Sequence, residues 1–515
     1  MKKSFCFILC ILLTVSLFAG CAQENTPHTP TGDGLTWDED YTGPIYTKPS
    51  QEQEQAITLT YDPGKTMNPL SSTDFTNRAL FSLLYQGLFA VDRNYTVEPM
   101  LCSRYAMSED MRTYTFYIDN ATFSDGTALT VQDVLACLIF AKESAYYGGR
   151  FLHVADMRLS EDGGITVQMD TPCENLPLLL DIPIIKEAEL EADRPLGTGP
   201  YFLDNTSGSL RLRRRTDWWC SAEMTVKADL IPLLEAGSAA QIRDQFEFAD
   251  LSLVCADPGS DRYADYRCDY ELWDCENGIF LYLACSASSA VFSVPEVRQA
   301  LTYAINRDAL VTEFYRGFAR SATLPASPLS PYYAKPLAER YSYDSVKFAQ
   351  AINDAGLKDS PVIFLVNSDD SLRVRVARAI GQMLTDCGLT VQMEELSGSA
   401  YQFALKAWNY DLYLGQTKLS PNMDLTAFFS SYGELSWGGV NNAAAYALCQ
   451  EALANQGNYY TLHQTIMENG LLCPVLFRSY AVYATRGLLT GLTPSRDNVF
   501  YYSIGKNMTQ AHISQ

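Results

Sequence analysis

Four histidines make up the imidazole complement of this 515-residue chain: His28, His153, His463 and His512. None is followed by glutamate, so a zinc-protease HExxH is absent, and no G-x-S-x-G elbow offers a serine nucleophile. The closest cysteines in the body of the chain, Cys268 and Cys275, are too far apart for a CxxC. "GTGPY" (197–201) starts like a dinucleotide fingerprint, but no third glycine follows and the segment runs into a strand. Its glycines are expected to permit a turn with positive φ. A Cys–His pair or paired carboxylates assembled across the fold stay open. No catalytic residue, cofactor or metal ligand is assigned, and the chain is read as not an enzyme.

The stretch with more to offer is "DLYLGQTKLSPNMD" (411–424). It begins as an apolar, alternating strand and turns into a polar segment with Gln416, Thr417, Lys418, Ser420 and Asp424. An earlier polar loop, 63–74, ends in Ser72, Thr73 and Asp74 after the strand "ITLTYD". Hydroxyls, an amide, an ammonium and carboxylates of this kind suit hydrogen bonding to a solute. Each has a plainer role: Asp74 is also an ideal N-cap for a helix starting at Phe75. Trp437 and Trp408 are candidate stacking platforms, although large aromatics more often pack.

The elements that must position these residues follow from periodicity. "FTNRALFSLLYQGLF" carries Phe75, Ala79, Ser82, Leu83 and Gln86 at helical spacing. Between about 94 and 190 short strands surround one helix, "VQDVLACLIFAKES". "LRLRRRTDWW" reads as a strand whose basic run, split over two faces, forms a solvated edge. Beyond about 276 strands and helices alternate: "PVIFLVN", "SLRVRVARAIGQMLTDCG", "LTVQMEEL", "YQFALKAW" and "YDLYLG" make βαβαβ, hence a parallel sheet covered on both faces. Ligands bind at the carboxyl ends of such strands. Gln416–Asp424 is read as a loop at one such end, and 63–74 as its counterpart in the other half of the chain, with a cleft between.

Composition narrows the setting. The formal charge of −22 argues against nucleic acid, which needs a positive footprint. Lys2 and Lys3, the apolar run Phe5–Phe18 and "LFAGC" form an export signal over residues 1–20. The small residues before Cys21 resemble a bacterial lipobox, which implies lipidation of Cys21; the usual leucine stands one place early, as Leu17, and ordinary cleavage near Ala19 is the alternative. Residues 21–55, rich in Thr, Pro, Gly and Gln, are a flexible tether. The eleven cysteines from Cys102 to Cys473 are odd in number and irregular in spacing, and read as buried thiols.

In order along the chain, "MNPLSSTDFTNRALFSLLYQGLF", "YTFYIDNATFSDGTALTVQDV", "PLGTGPYFL", "RTDWW", "EVRQALTYAINRDALV", "SVKFAQAINDAGL", "VARAIGQMLTDCGLTVQMEEL" and "NYDLYLG" resemble the family 5 solute-binding lipoproteins of peptide- and nickel-type ABC importers. The resemblance implies an α/β, two-lobed, periplasmic-binding-protein-like clamshell (type II) with an extra subdomain. Lobe one would span 56–275, with the insertion at about 94–190, lobe two 276–475, and the chain would return to lobe one over 476–515. It implies a short-peptide solute, ABC permease and ATPase partners, a monomer, and a place on the outer face of the bacterial membrane or in the periplasm. The family's acidic anchor for a peptide α-amine is missing: Gln416 and Lys418-Leu419-Ser420 stand there, and Asp424 replaces it only if the loop folds back. Lys418 suits a carboxylate or phosphate instead. An oligosaccharide or metal-chelate importer and a sensor or chaperone-like lipoprotein are the rival readings.

Overall fold

The computed structural model describes residues 57–220, 226–259, 266–439, 442–489, 491–496 and 498–505, and the backbone of 509–513. The expected signal, Cys21 and the tether lie outside these residues.

Two long strands organise the molecule. Tyr270–Cys285 and Cys473–Thr485 pair antiparallel from Tyr270–Thr485 to Leu283–Cys473. Their ladder is interrupted twice, between Glu276 and Phe280 and between Leu281 and Tyr282, with Gly278 at φ +70° inside the first break. Before the breaks, Trp273, Cys275, Val482 and Ala484 pack into one apolar core. Beyond the first break, Leu281, Leu283, Cys473, Val475 and Leu476 pack into another. The same ladder therefore runs through two bodies, and its irregular middle joins them.

Two larger sheets build the first body among the described residues, beside the small pair Phe89–Val91 and Val97–Pro99. Leu59–Tyr61, Leu230–Glu235, Arg211–Arg214 and Tyr201–Asp204 lie in that order, the first pair parallel. Thr509–Ile513, Cys102–Ser108, Thr113–Ile118, Ile165–Met169 and Val154–Leu159 form the other. The helix Val131–Lys142 starts at a capping box, in which Thr130 and Asp133 each satisfy the other's backbone N–H. It buries Val134, Cys137, Leu138 and Ala141 in the first core.

In the second body Pro361–Asn367 runs parallel to both Thr390–Leu396 and Leu412–Lys418. The helices Ser371–Asp386 and Gly398–Ala407 make the two crossovers. Asp370 caps the first by accepting from Arg373 N, and Leu372, Val376 and Ile380 face inward at helical spacing. The parallel trio does not end the sheet: Leu412–Lys418 continues antiparallel onto Tyr270–Cys285, so the sheet is mixed.

Four expectations need correction. Phe75–Gln86 is two short helices, Phe75–Arg78 and Phe81–Leu84, rather than one. The backbone turns between them so that Gln86 bridges to Ile184. Gly197 and Gly199 do not have positive φ. They are glycines because the chain passes flat against the Leu84 peptide, where a Cβ would lie 2.2 Å from the Leu84 oxygen or 2.4 Å from its carbonyl carbon. The basic strand is interior, not an edge, and its charges are paired: Arg211 and Arg213 on Asp204 and Arg214 on Asp229. Last, Gln416, Thr417 and Lys418 are not loop residues. They extend the strand, opposite Leu281, Phe280 and Ile279, because the long neighbouring strand offers a ladder that far.

Candidate functional site

The first-body loop is a rigid piece of chain. The Asn77 side chain accepts from Asp62 N (2.8 Å) and donates to the carbonyls of Asp62 and Lys65 (3.1 and 3.0 Å), which fixes the loop's shape. Asp74 caps Phe75–Arg78 by accepting from Asn77 N at 3.1 Å, the plainer of its two expected roles. Ser72 is buried and Thr73 exposed. The Ser72 and Pro69 carbonyls accept from Arg78 Nη1 at 3.0 and 3.2 Å, and Tyr147 Oη accepts from Arg78 Nη2 at 2.8 Å. So oriented, the Arg78 guanidinium lies 3.4 Å over the centre of the Tyr146 ring, a desolvated cation–π contact.

The second body meets it at the same ring. Lys418 Nζ donates to Tyr146 Oη at 2.9 Å and lies 4.1 Å from the ring centre. Of the nine expected binding residues, Ser72 and Lys418 are thus brought to one junction through Arg78 and Tyr146. Gln416 Oε1 accepts from Arg478, whose other terminal nitrogen holds Asp257 at 2.7 Å. Thr417 lies between Gln416 and Lys418 on the strand. Ser420 Oγ donates to Asn422 Oδ1 at 2.7 Å. Asp424 does not fold back toward the strand end; it accepts from Thr426 N at 2.8 Å and faces His153 across the lobes. Trp437 packs against the second body's core, and Trp408, in a left-handed backbone conformation at a helix end, is 43 % exposed.

Where an acidic anchor would stand, Leu419 is buried, its N–H bonded to Gly278 O at 3.1 Å. The junction also contains an aromatic pair that connects it to the ladder: Phe75 stacks on Tyr480 with 3.6 Å between ring centres. Arg78, Tyr146, Phe75, Tyr480 and Arg478 were not picked out in the sequence. Arginine and tyrosine give no periodic signal, and only the fold brings 78, 146, 418 and 480 together.

The bodies stand closed on one another. Besides Lys418–Tyr146, Glu174 N donates to Leu453 O (2.8 Å), Gln456 N donates to Glu174 Oε2 (3.1 Å) and Asn175 Nδ2 donates to Tyr332 Oη (3.0 Å). A cavity of about 80 Å³ lies under Arg78, lined also by Tyr147, Arg150, Asp181, Ser495 and Arg496. That is well below the roughly 300 Å³ at which solute pockets begin. Burial pushes the Tyr147 phenol up despite the opposing pull of Arg78 and Arg150, so it stays a neutral donor and acceptor between two guanidinium groups. Among the described residues no group of three or more His, Cys, Asp or Glu is placed to hold a metal ion. No described helix is long and apolar enough to cross a membrane.

Residues 96–439 match the model of bacterial extracellular solute-binding proteins, family 5 middle. The chain belongs to this family. Family 5 proteins are the solute-binding components of ABC transporters, working outside the membrane with permease and ATPase subunits. A curated relative, the glutathione-binding protein GsiB of Escherichia coli K12, is 25 % identical over 401 residues, which is 72 % of this chain and 74 % of the relative. The structure of a putative peptide-binding protein AppA from Clostridium difficile superposes with a TM-score of 0.70 at 17 % identity, over 86 % of this chain and 98 % of that one. NikZ of Campylobacter jejuni, solved with Ni(L-His), gives 0.61 at 16 % identity, over 88 % and 98 %. The fold is therefore the family 5 two-lobed α/β clamshell.

Proposed function

We propose that this family 5 protein captures a short peptide between its lobes and hands it to the permease of an ABC importer, held at the outer face of the membrane by a lipid on Cys21. Lobe one comprises 56–275 and 476–515, with its inserted subdomain at about 94–190, and lobe two comprises 276–475. Closure then works by differential affinity: the solute must bind the closed state better than the open one.

The observation that carries the peptide reading is a strand edge at the lobe junction that no described strand pairs. Leu412–Lys418 is paired along its whole length with Tyr270–Cys285 on one side. On the other side, Pro361–Asn367 pairs only with Leu412 and Tyr413. From Leu414 to Thr417, alternate backbone N–H and C=O groups point to a side that no described strand occupies. An extended peptide adds to such an edge by main-chain hydrogen bonds, which are indifferent to its side chains. Lys418, at the end of this edge, is the partner for the peptide's carboxylate, and the buried Leu419 removes the need for a free α-amine. Ser72, Thr73, Gln416, Thr417, Ser420, Asp424 and Trp437 are the remaining candidate contacts.

A chelate is the second reading, favoured by the similarity to NikZ with Ni(L-His). Native mass spectrometry of the purified chain, followed by calorimetric titration with tripeptides and pentapeptides, glutathione and nickel–histidine, separates the two. Peptide binding that persists after N-acetylation supports the proposal. Binding of nickel–histidine alone overturns it, and binding of none of them points to a clamshell used without transport.

A further inference from the structure

His153 belongs to lobe one, and its ring spans the lobe boundary. Nδ1 is 3.1 Å from Asp170 Oδ1 in its own lobe. Nε2 is 3.1 Å from Asp424 Oδ2 and 3.0 Å from Thr426 Oγ1, both in lobe two. The side chain is 12 % exposed, that of Asp424 7 % and that of Asp170 57 %. Both carboxylates are themselves held in place. Asp170 N donates to His153 O at 3.0 Å, and Asp424 Oδ1 accepts from Thr426 N.

A neutral imidazole has one N–H and one lone pair. With the proton on Nδ1, the lone pair on Nε2 can accept from Thr426 Oγ1 but leaves the Asp424 carboxylate beside it without a donor. With the proton on Nε2, a lone pair on Nδ1 confronts Asp170. Only the imidazolium donates to both carboxylates at once. The other groups around it carry no compensating positive charge to Asp424. Cys173, Cys449 and Tyr459, behind that carboxylate, are held neutral by burial. The Arg112 guanidinium donates to the Asp170 carbonyl, on the lobe-one side. Glu174, the next acid on the rim, accepts from Gln456 N.

We infer that His153 is a proton-operated latch on lobe closure: its imidazolium clamps Asp424 of lobe two to Asp170 of lobe one, and losing the proton releases one of them. The latch rests on the clamshell closure proposed above. Burial opposes the charge on His153, but the hydrogen bond and charge of Asp424, then those of Asp170, outweigh it, so the closed state binds the proton above the ordinary histidine value. Opening carries Asp424 away and also relieves the burial that opposes the charge. Closure takes up a proton because the hydrogen bond and charge of Asp424 together exceed the burial that lobe two adds, which is the balance the titration of Asp424→Asn reads. Its latch contribution is fully present below the open-state value, which Asp170 still raises, and is lost as pH rises through the closed-state value. The Glu174–Leu453 and Asn175–Tyr332 bonds do not titrate with His153, so the latch tunes closure without being its sole support.

The test uses the full chain without added solute. Backbone hydrogen exchange at Glu174 and Gln456, whose N–H groups cross between lobes, is followed from about pH 5.5 to 8.5, either side of the ordinary histidine value. Rates are corrected for intrinsic exchange and compared among wild type, His153→Gln and Asp424→Asn. In parallel, the His153 ring resonance, identified by its loss in His153→Gln, is titrated by NMR. The expected result is protection that falls with rising pH in wild type only, and a His153 titration that moves down in Asp424→Asn. Opening in wild type with no pH dependence, or a pH profile unchanged in His153→Gln, overturns the latch and leaves the clamshell standing. Protection that never varies, in any of the three proteins at any pH, overturns both.

Discussion

At the scale of single residues, the lobe junction and the buried histidine each make a definite claim. Lys418 reaches Tyr146 across the junction at the end of the strand Leu412–Lys418. If it meets a peptide carboxylate there, Lys418→Met weakens binding of free-acid peptides by about tenfold, the size of one charge-assisted hydrogen bond, and leaves C-terminally amidated peptides unaffected. Titration calorimetry of matched peptide pairs reads this directly. His463 is a different case. It is fully buried in the lobe-two core beside Tyr459, and burial alone lowers its value to about 3. The unfolded chain takes up a proton near 6.5 while the folded one does not, so stability falls as pH drops from about 6.5 toward 3. Denaturant unfolding of His463→Leu across that range is expected to show a shallower pH slope than wild type.

At the scale of elements, close backbone approach and buried donors decide what the sequence can tolerate. Gly199 N donates to Leu84 O at 2.9 Å, and an added Cβ meets the same peptide. Because the obstacle is backbone, Gly199→Ala is expected to cost about 2 kcal/mol, in the range of overpacked cores, measured by urea unfolding. Arg307 is buried at the start of the helix Arg307–Tyr315. It donates to the carbonyls of Ala322 (3.0 Å), Pro474 (2.9 Å) and Thr302 (3.0 Å), stitching three segments to the returning strand. Arg307→Met leaves those carbonyls buried without a donor and is expected to cost about 3 kcal/mol in the same assay. These elements also show how far the sequence could be read. The parallel trio around Pro361–Asn367 was legible because buried strands and amphipathic helices have distinct periods. The Gly197–Gly199 contact was not, since a glycine that avoids a clash looks the same in sequence as one that permits positive φ. The extension of Leu412 to Lys418 was also hidden: polar composition signals a loop, and a ladder supplied by Ile279, Phe280 and Leu281, far back in the chain, overrides it.

At the scale of the whole molecule, the two-lobed fold was readable through the ordered motifs, whereas the closed junction was not, because it is made of single residues from four distant places. Two strands connect the lobes, and the register breaks around Gly278 are where the ladder can bend. Small-angle scattering is expected to show a larger radius of gyration for solute-free protein than for protein saturated with a bound peptide, as in hinge closure. No change on saturation would mean that the lobes do not open.

The returning strand has one more consequence. Val482, Ala484, Leu489, Leu492, Val499 and Phe500 complete the lobe-one core that begins with Ile57 and Leu59, and Thr509–Ile513 closes its sheet against Cys102–Ser108. During synthesis the core begun at Ile57 is therefore incomplete until residues 482–513 have been made. Chains ordinarily fold domain by domain from the N-terminus, but here the whole parallel trio around Pro361–Asn367 is made before that first core can close. The body begun first is thus the one finished last.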